Sequence, residues 1–184
     1  AAYLRNHHRR DDGTLWRATT LDQPAGEGIL DDYAFLAAGL LDLYQVGGRV
    51  EHLAWARELV DRIRRDFARD AGAFYLTAVG AETPFGRRAE LFDSGLPSGG
   101  AVAVLVMLKL GALAGDERLV AEAQWHLESQ SGLLQRAGGD MAAWLDAALL
   151  VLAPPSEVVV AGDAGDPRAE DLVREVLATW PPHA

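Results

Sequence analysis

The chain has no cysteine among its 184 residues. That excludes a disulfide, a thiolate metal site and a thiol nucleophile. It is short of basic residues: 17 Lys and Arg stand against 27 Asp and Glu, for a net charge of −10. Nucleic acid and anionic membrane are disfavoured as partners, because either selects a basic face. Long hydrophobic runs are missing too. The longest, residues 101–108 and 147–153, fall well short of the roughly 20 residues a membrane-crossing helix needs. No secretory leader pattern is visible, and the expectation is a soluble protein of the cytoplasm. No Met stands at the start; Ala1-Ala2-Tyr3-Leu4 reads as the tail of a helix already under way, so a segment of a longer chain is expected. Neither Gly47-Gly48 nor Gly99-Gly100 carries the Lys and Ser/Thr that a phosphate loop requires. The pair His7-His8 has no third ligand spaced to join it. A metal hydrolase would rest on that pair alone, so no metal or cofactor is expected.

What is present is helix of two kinds. Residues 30–44 are apolar or small on nearly every side except at Asp42, the pattern of a helix buried among other elements. Asp31 and Asp32 open it, where acidic side chains suit the positive end of the helix dipole. Gly47-Gly48 stops it. From about Val50 to Phe67 the pattern changes: Leu53, Ala56, Val60, Ile63 and Phe67 form one stripe, and charged residues such as Arg57, Asp61 and Arg65 cover the other faces. Such a helix packs on one side only. The pairing then recurs. Pro97-Ser98-Gly99-Gly100 introduces an apolar helix from Ala101 to about Ala114, Gly115 ends it, and 117–130 is amphipathic. A shift of 67 residues carries Ala34 onto Ala101, Leu41 onto Leu108, Leu43 onto Leu110, Gly48 onto Gly115, Ala54 onto Ala121 and Ala56 onto Ala123. The glycine repeated at both turns weighs most, because the residue after a helix end favours a left-handed backbone. A third inner helix follows a shortened connector, over 140–152.

Turns precede the hairpins. Asp11-Asp12-Gly13 leads into a short strand at 14–19, and Asp70-Ala71-Gly72 leads into another at 73–75; Pro24, Gly26 and Gly28 read as a loop. Repetition at this period means stacked supersecondary units. Hairpins with an apolar inner and an amphipathic outer helix close naturally into a double ring. The fold expected is mainly α: over residues 1–153, part of an α/α toroid of helical hairpins with short strand excursions. Residues 154–184 make a C-terminal β-α piece, a strand at 157–161 and a helix capped by Asp166 with Pro167 in first position. Leu172, Val173, Val176, Leu177 and Trp180 share one face of that helix, which Pro181-Pro182 stops. One strand makes no sheet, so this piece is expected to be incomplete.

Three motifs occur in this order: Leu-Asp-Asp-Tyr-Ala-Phe at 30–35, Asp-Ser-Gly-Leu-Pro-Ser-Gly at 93–99, and Pro-Pro-Ser-Glu-Val-Val-Val-Ala-Gly at 154–162. Together they resemble the C-terminal half of the thioredoxin-domain-containing, spermatogenesis-associated-protein-like family, called YyaL-like in bacteria. The resemblance covers essentially the whole chain. It implies a thioredoxin-like N-terminal domain, absent from this segment, followed by a toroid of the six-hairpin glycosidase and sugar-epimerase type. It implies distant kinship with carbohydrate enzymes and carries over no activity. The His residues that sugar epimerases of this fold use as acid and base have no matching motif here.

In such a ring the mouth is lined by the starts of the inner helices and the loops before them. Asp31, Asp32 and Asp93 stand there. Carboxylates around a cavity serve as general acid and base on a glycosidic bond or sugar carbon when burial or a neighbour raises one pKa. The same residues, with Ser98, also suit helix capping, which asks for no function. By the repeat, Ser98-Gly99 stand where Asp31-Asp32 do. One Ser suffices in the second unit, so Asp31 is the carboxylate that capping does not explain. Trp16, Arg17, Tyr33, Tyr75, Phe92 and Ser98 are the candidate substrate contacts, since sugar rings stack on aromatic faces and Arg holds a hydroxyl or carboxylate. The competing account has the aromatics pack the strands onto helix ends.

The function expected is carbohydrate binding or modification at this mouth, glycosidase- or epimerase-like if enzymatic. The alternative is a non-catalytic scaffold that presents substrate to the thioredoxin-like domain of the parent chain. The first needs an open acidic pocket that the 76–91 loop leaves clear; the second needs its carboxylates satisfied as caps. The partners expected are a small carbohydrate and, across exposed apolar faces, the rest of the parent chain or a second copy. His52, His126 and the pair Arg87-Arg88 are expected at the solvated surface.

Overall fold

The computed structural model describes residues 1–20, 23–153, 158–163 and 165–179. They are mainly helical, with eight α-helices and one two-stranded sheet among them, and the chain clusters into two units, Ala1–Val151 and Leu152–Ala184.

The first unit opens with α1 (Ala2–His7). A turn follows, closed by one antiparallel bridge between Arg9 and Leu15. Then come the paired strands β1 (Trp16–Thr20) and β2 (Gln23–Glu27), with Trp16 opposite Glu27 and Thr20 opposite Gln23. Pro24 and Gly26, expected in a loop, lie in β2. Both strands of a two-stranded hairpin are edges, so the N–H that Pro24 lacks interrupts no interior ladder. The second turn repeats the first in backbone, with Gly13 at φ 81° and Gly72 at φ 79° and a single bridge between Ala68 and Phe74. The strand expected at 73–75 is reduced to that bridge, and the chain continues as a connector.

The two hairpins are α2 (Leu30–Gly47) with α3 (Val50–Asp66), and α4 (Gly99–Ala114) with α5 (Glu117–Glu128). α2 packs on α3 and α4, and α4 packs on α5 and α3. The burial of α3 and α4 follows the composition. α4 buries residues along nearly all its length, from Gly99 to Val104 and again through Val106, Met107, Leu108, Leu110 and Gly111. α3 buries only the stripe Trp55, Ala56, Leu59, Val60 and Ile63. Each large side chain so removed from water contributes about 1.5–3 kcal/mol before chain entropy is set against it. Both α2 and α4 end at the repeated glycine: Gly48 at φ 63° returns its N–H to Tyr44, and Gly115 at φ 62° returns its own to Ala112. Gly111 lets the layers meet, because a methyl there would lie 2.6 Å from Val120 of α5. Across the outer surface Arg64 pairs with Glu122, and Arg57 with Asp116, the N-cap of α5 (2.7 Å).

Beyond α5 the expected short connector contains a further helix, α6 (Ser131–Ala137), and a 3₁₀ turn (Gly138–Asp140). The helix expected over 140–152, α7, therefore starts at Ala142 and runs to Leu152.

In the second unit Asp166 caps α8 (Pro167–Ala178) by accepting the Arg168 N–H (2.9 Å), with Pro167 in the first turn as the sequence predicts. Val158 to Ala161 form no strand. A strand needs a paired neighbour to persist, and Val158 and Val159 are exposed. Pro154, Pro155, Ser156, Glu157, Trp180, Pro181 and Pro182, on which part of the sequence reading rests, lie outside the described residues. No helix among the described residues is long and apolar enough to cross a membrane.

Candidate functional site

The starts of α2, α4 and α7 are brought together by the connector 75–93. The Leu30 N–H, in the first turn of α2, donates to the Leu76 carbonyl (2.9 Å), while the Leu76 N–H donates to the Arg88 carbonyl (2.7 Å). At α4, the Ser98 hydroxyl donates to the Glu90 carbonyl (2.9 Å). At α7, the buried Trp144 donates its indole N–H to the Leu91 carbonyl (2.9 Å). One stretch of irregular chain thus satisfies, and is satisfied by, three helix ends that would otherwise carry free donors.

Asp93 is the knot in this lacing. Its Oδ1 accepts the Ser98 N–H (2.8 Å) and its Oδ2 accepts the Ala143 N–H (2.9 Å), so one carboxylate holds the starts of α4 and α7 together. Its own N–H donates to the Asp140 carbonyl (2.9 Å). Both oxygens are committed to backbone donors. Asp32 is used in a similar way: its Oδ2 accepts the N–H of Ile29, the N-cap of α2 (2.8 Å). Burial pushes its carboxyl above the ordinary carboxylate value, and the Ile29 hydrogen bond and Arg17 pull it back. Ser98 is the N-cap of α4, its Oγ facing the Ala101 N–H (3.4 Å).

Asp31 differs. It is half-buried, and its carboxylate makes no hydrogen bond or ion pair with any described residue. Its carboxyl lies against Gly99 in the first turn of α4, where a methyl would come within 2.0 Å of Oδ1. Burial raises its pKa above the ordinary value; Glu90 and Asp32 add to the rise and Arg17 opposes it. Glu90, which the sequence did not single out, is the neighbouring charge, itself paired with Arg88 (2.7 Å).

The aromatic candidates divide along the same line. Tyr33 is a core residue: its hydroxyl accepts the buried Leu15 N–H (2.9 Å), and its ring meets Phe67 at 5.2 Å. The Trp16 ring is covered by the Arg10 guanidinium at 3.4 Å. Tyr75 carries Arg87 at 4.2 Å and Arg69 at 5.3 Å. Arg87 is accordingly no free surface residue. It donates to the Thr77 and Asp66 carbonyls (2.9 and 2.7 Å) and pins the connector to the end of α3. Arg17 and Phe92 remain exposed. His126, also expected at the surface, is 2% exposed. Leu119, Ala123, His126 and Leu127 fall on one face of α5, and a count at helical spacing from Leu119 would have placed it inside.

The 76–91 loop does not stand clear of the helix starts: residues 76, 90 and 91 bond directly to them. Depressions among the described residues lie around Gly111, Gly115 and Val120 and around Arg57, Asp116 and Arg118, at the opposite end of α4. None of their lining residues is a candidate.

No family model matches the chain. Over 150 residues it is 30% identical to spermatogenesis-associated protein 20 of Mus musculus, a match covering 78% of this chain and 18% of that protein. The Rattus norvegicus protein of the same name is 28% identical over 147 residues, covering 78% and 18%. The Homo sapiens protein is 26% identical over 159 residues, covering 85% and 20%. The chain thus spans about a fifth of the length of the curated relatives it matches.

Proposed function

We propose that this chain is a section of a protein of the spermatogenesis-associated-protein-20 type, in which its hairpins form part of an α/α toroid acting as a non-catalytic scaffold. In the parent chain, by the resemblance, that scaffold presents substrate to a thioredoxin-like domain in the cytoplasm. The observation that carries this reading is the engagement of Asp32, Asp93 and Ser98. Each directs its side-chain oxygen at backbone N–H groups, and residues 76, 90 and 91 of the connector bond directly to the helix starts. The exposed apolar residues Leu43 and Val46 of α2 and Leu145 and Leu149 of α7 favour further helices of the ring as neighbours.

A second reading, carbohydrate binding or modification, is favoured by one residue. Asp31 is a half-buried carboxyl with a raised pKa and no described partner, and a general acid needs a proton held toward neutral pH. Arg17 and Phe92 are the remaining groups able to hold a sugar hydroxyl or ring face. An NMR titration of the protein with monosaccharides, uronic acids and amino sugars separates the two. The scaffold reading expects no saturable shift at the amides of Asp31, Phe92 and Gly99. Saturable shifts confined to those amides, and lost in Asp31→Asn, overturn it and establish the second.

A further inference from the structure

The joint between α5 and the turn 68–74 contains a titratable group that neither reading uses. His126 stacks on Phe74, ring centroids 4.4 Å apart at 30°, and meets the edge of Trp125 at 4.8 Å. Its Nδ1 is buried without a hydrogen-bond partner among the described residues. The surrounding fit is close. The Gly72 backbone lies against Ser129, where a methyl would fall 2.0 Å from the hydroxyl oxygen. The Ser129 hydroxyl donates to the His126 carbonyl (2.6 Å) and accepts from Gln130 Nε2 (2.8 Å). Ala73, fully buried between Gly72 and Phe74, is held at φ 56°, a left-handed conformation that is unfavourable for a residue with a side chain. The turn keeps that conformation because the surrounding packing imposes it.

We propose that His126 is an acid-sensitive latch on the connector: neutral, it holds the turn 68–74 shut through Phe74, and protonated, it releases that turn from α5. The charged groups facing it are Glu122, on its own helix, and Arg64 of α3. They already satisfy each other, since Arg64 grips both Glu122 oxygens (2.9 and 3.0 Å from Nε). Among the described residues Glu122 favours an imidazolium and Arg64 opposes it, and the ring of Phe74 is what the turn stacks against the imidazole. A proton at this position therefore creates a buried charge whose neighbouring carboxylate is already held by Arg64. Burial holds the imidazole below its ordinary value of 6.5, in the same sense. Release has a defined route onward. Phe74 is followed by Tyr75, whose N–H donates to the Phe67 carbonyl (2.7 Å), and by Leu76, whose carbonyl takes the first N–H of α2. Opening the turn loosens the strand of chain that laces the helix starts.

The test is amide hydrogen exchange between pH 7.5 and 5, read as protection factors, with a side-chain NMR titration of His126 in the unaltered protein. Opening coupled to one proton makes protection at Gly72–Leu76 fall about tenfold per pH unit below 6.5, down to the closed-state pKa, while Leu40 and Leu41 in α2 stay protected. His126→Phe keeps an aromatic ring on Phe74 and cannot take a proton, so its protection at 72–76 is flat with pH. Protection at 72–76 that is flat in the unaltered protein, an equal fall in His126→Phe, or titration of His126 at or above 6.5 overturns the latch. If the variant does not fold, the titration and exchange of the unaltered chain decide the question alone.

Discussion

Replacing Asp93 tests the lacing of the helix starts most directly. Its two oxygens each accept one backbone N–H, from Ser98 and from Ala143, at 2.8 and 2.9 Å. Hydrogen bonds to a charged group are worth about 1.5–3 kcal/mol each. Asp93 is half-buried, so the lower end applies and two such bonds make about 3 kcal/mol. Asp93→Ala removes both and leaves two helix-start donors without protein partners, so a loss of about 3 kcal/mol is expected, roughly a hundredfold in the folding equilibrium. Asp93→Asn keeps one carbonyl oxygen and turns an NH₂ toward the other donor, so roughly half that loss or somewhat more is expected. Urea unfolding followed by circular dichroism reads both. With a denaturant slope of about 2 kcal/mol per molar, the Ala midpoint falls by about 1.5 M and the Asn midpoint by about half as much. A double-mutant cycle with Trp144→Phe adds a second reading, because Trp144 ties the same connector to α7 and the pair should be non-additive. An Asp93→Ala protein within about 0.5 kcal/mol of the parent, or a strictly additive cycle, would refute the idea that this carboxylate joins the two helices.

Three further outcomes are expected. Tyr33→Phe leaves the buried Leu15 N–H without its acceptor and should cost about 1–3 kcal/mol in the same unfolding assay; no measurable change would mean that water or a backbone shift replaces the hydroxyl. Gly111→Ala drives a methyl to 2.6 Å from Val120 Cγ2 and 3.2 Å from the backbone of α5. It should destabilise by about 1–3 kcal/mol, a loss that Gly111→Ala combined with Val120→Ala partly restores. Asp31→Asn should be more stable than the parent at neutral pH, because the folded state raises the Asp31 pKa and so disfavours its charged form. A raised acid pKa gives stability that is whole below the unfolded value of 3.8 and is lost as pH rises through the folded value, so the advantage of Asn should vanish in acid. An Asp31→Asn protein less stable at pH 7 would show that the carboxylate has a partner that favours its charge.

The helices were legible because their signals are local. Apolar surface on every side of 30–44, one stripe on 50–67 and a glycine at each turn need no knowledge of neighbours. The use made of the side chains was not legible in the same way. Asp93 lies in a loop, and its worth comes from Ala143, fifty residues away, which no spacing rule connects to it. Arg87 reads as a polar loop residue until the chain folds back and puts Tyr75 and the end of α3 around it. The hairpin at 16–27 was half seen, because Pro24 and Gly26 are loop residues by propensity and strand residues only where both edges are free. His126 was open to reading: it continues the stripe begun at Leu119, and its polarity masked its place in the count. Asp31 stood out in the sequence as the carboxylate unexplained by capping, and among the described residues its carboxylate has no backbone donor while those of Asp32 and Asp93 do.

The connector also decides where this architecture tolerates change. At one end three helices are tied to a single thread, so lengthening any segment between Leu76 and Ser98 shifts several attachments at once. At the other end, Gly48 and Gly115 have open space where a side chain would grow. Chain inserted at those two turns disturbs none of the bonds at the laced end. An epitope, a tag or a whole additional module grafted at Gly48 or Gly115 should leave the protein folded, whereas the same graft at Arg88 should not.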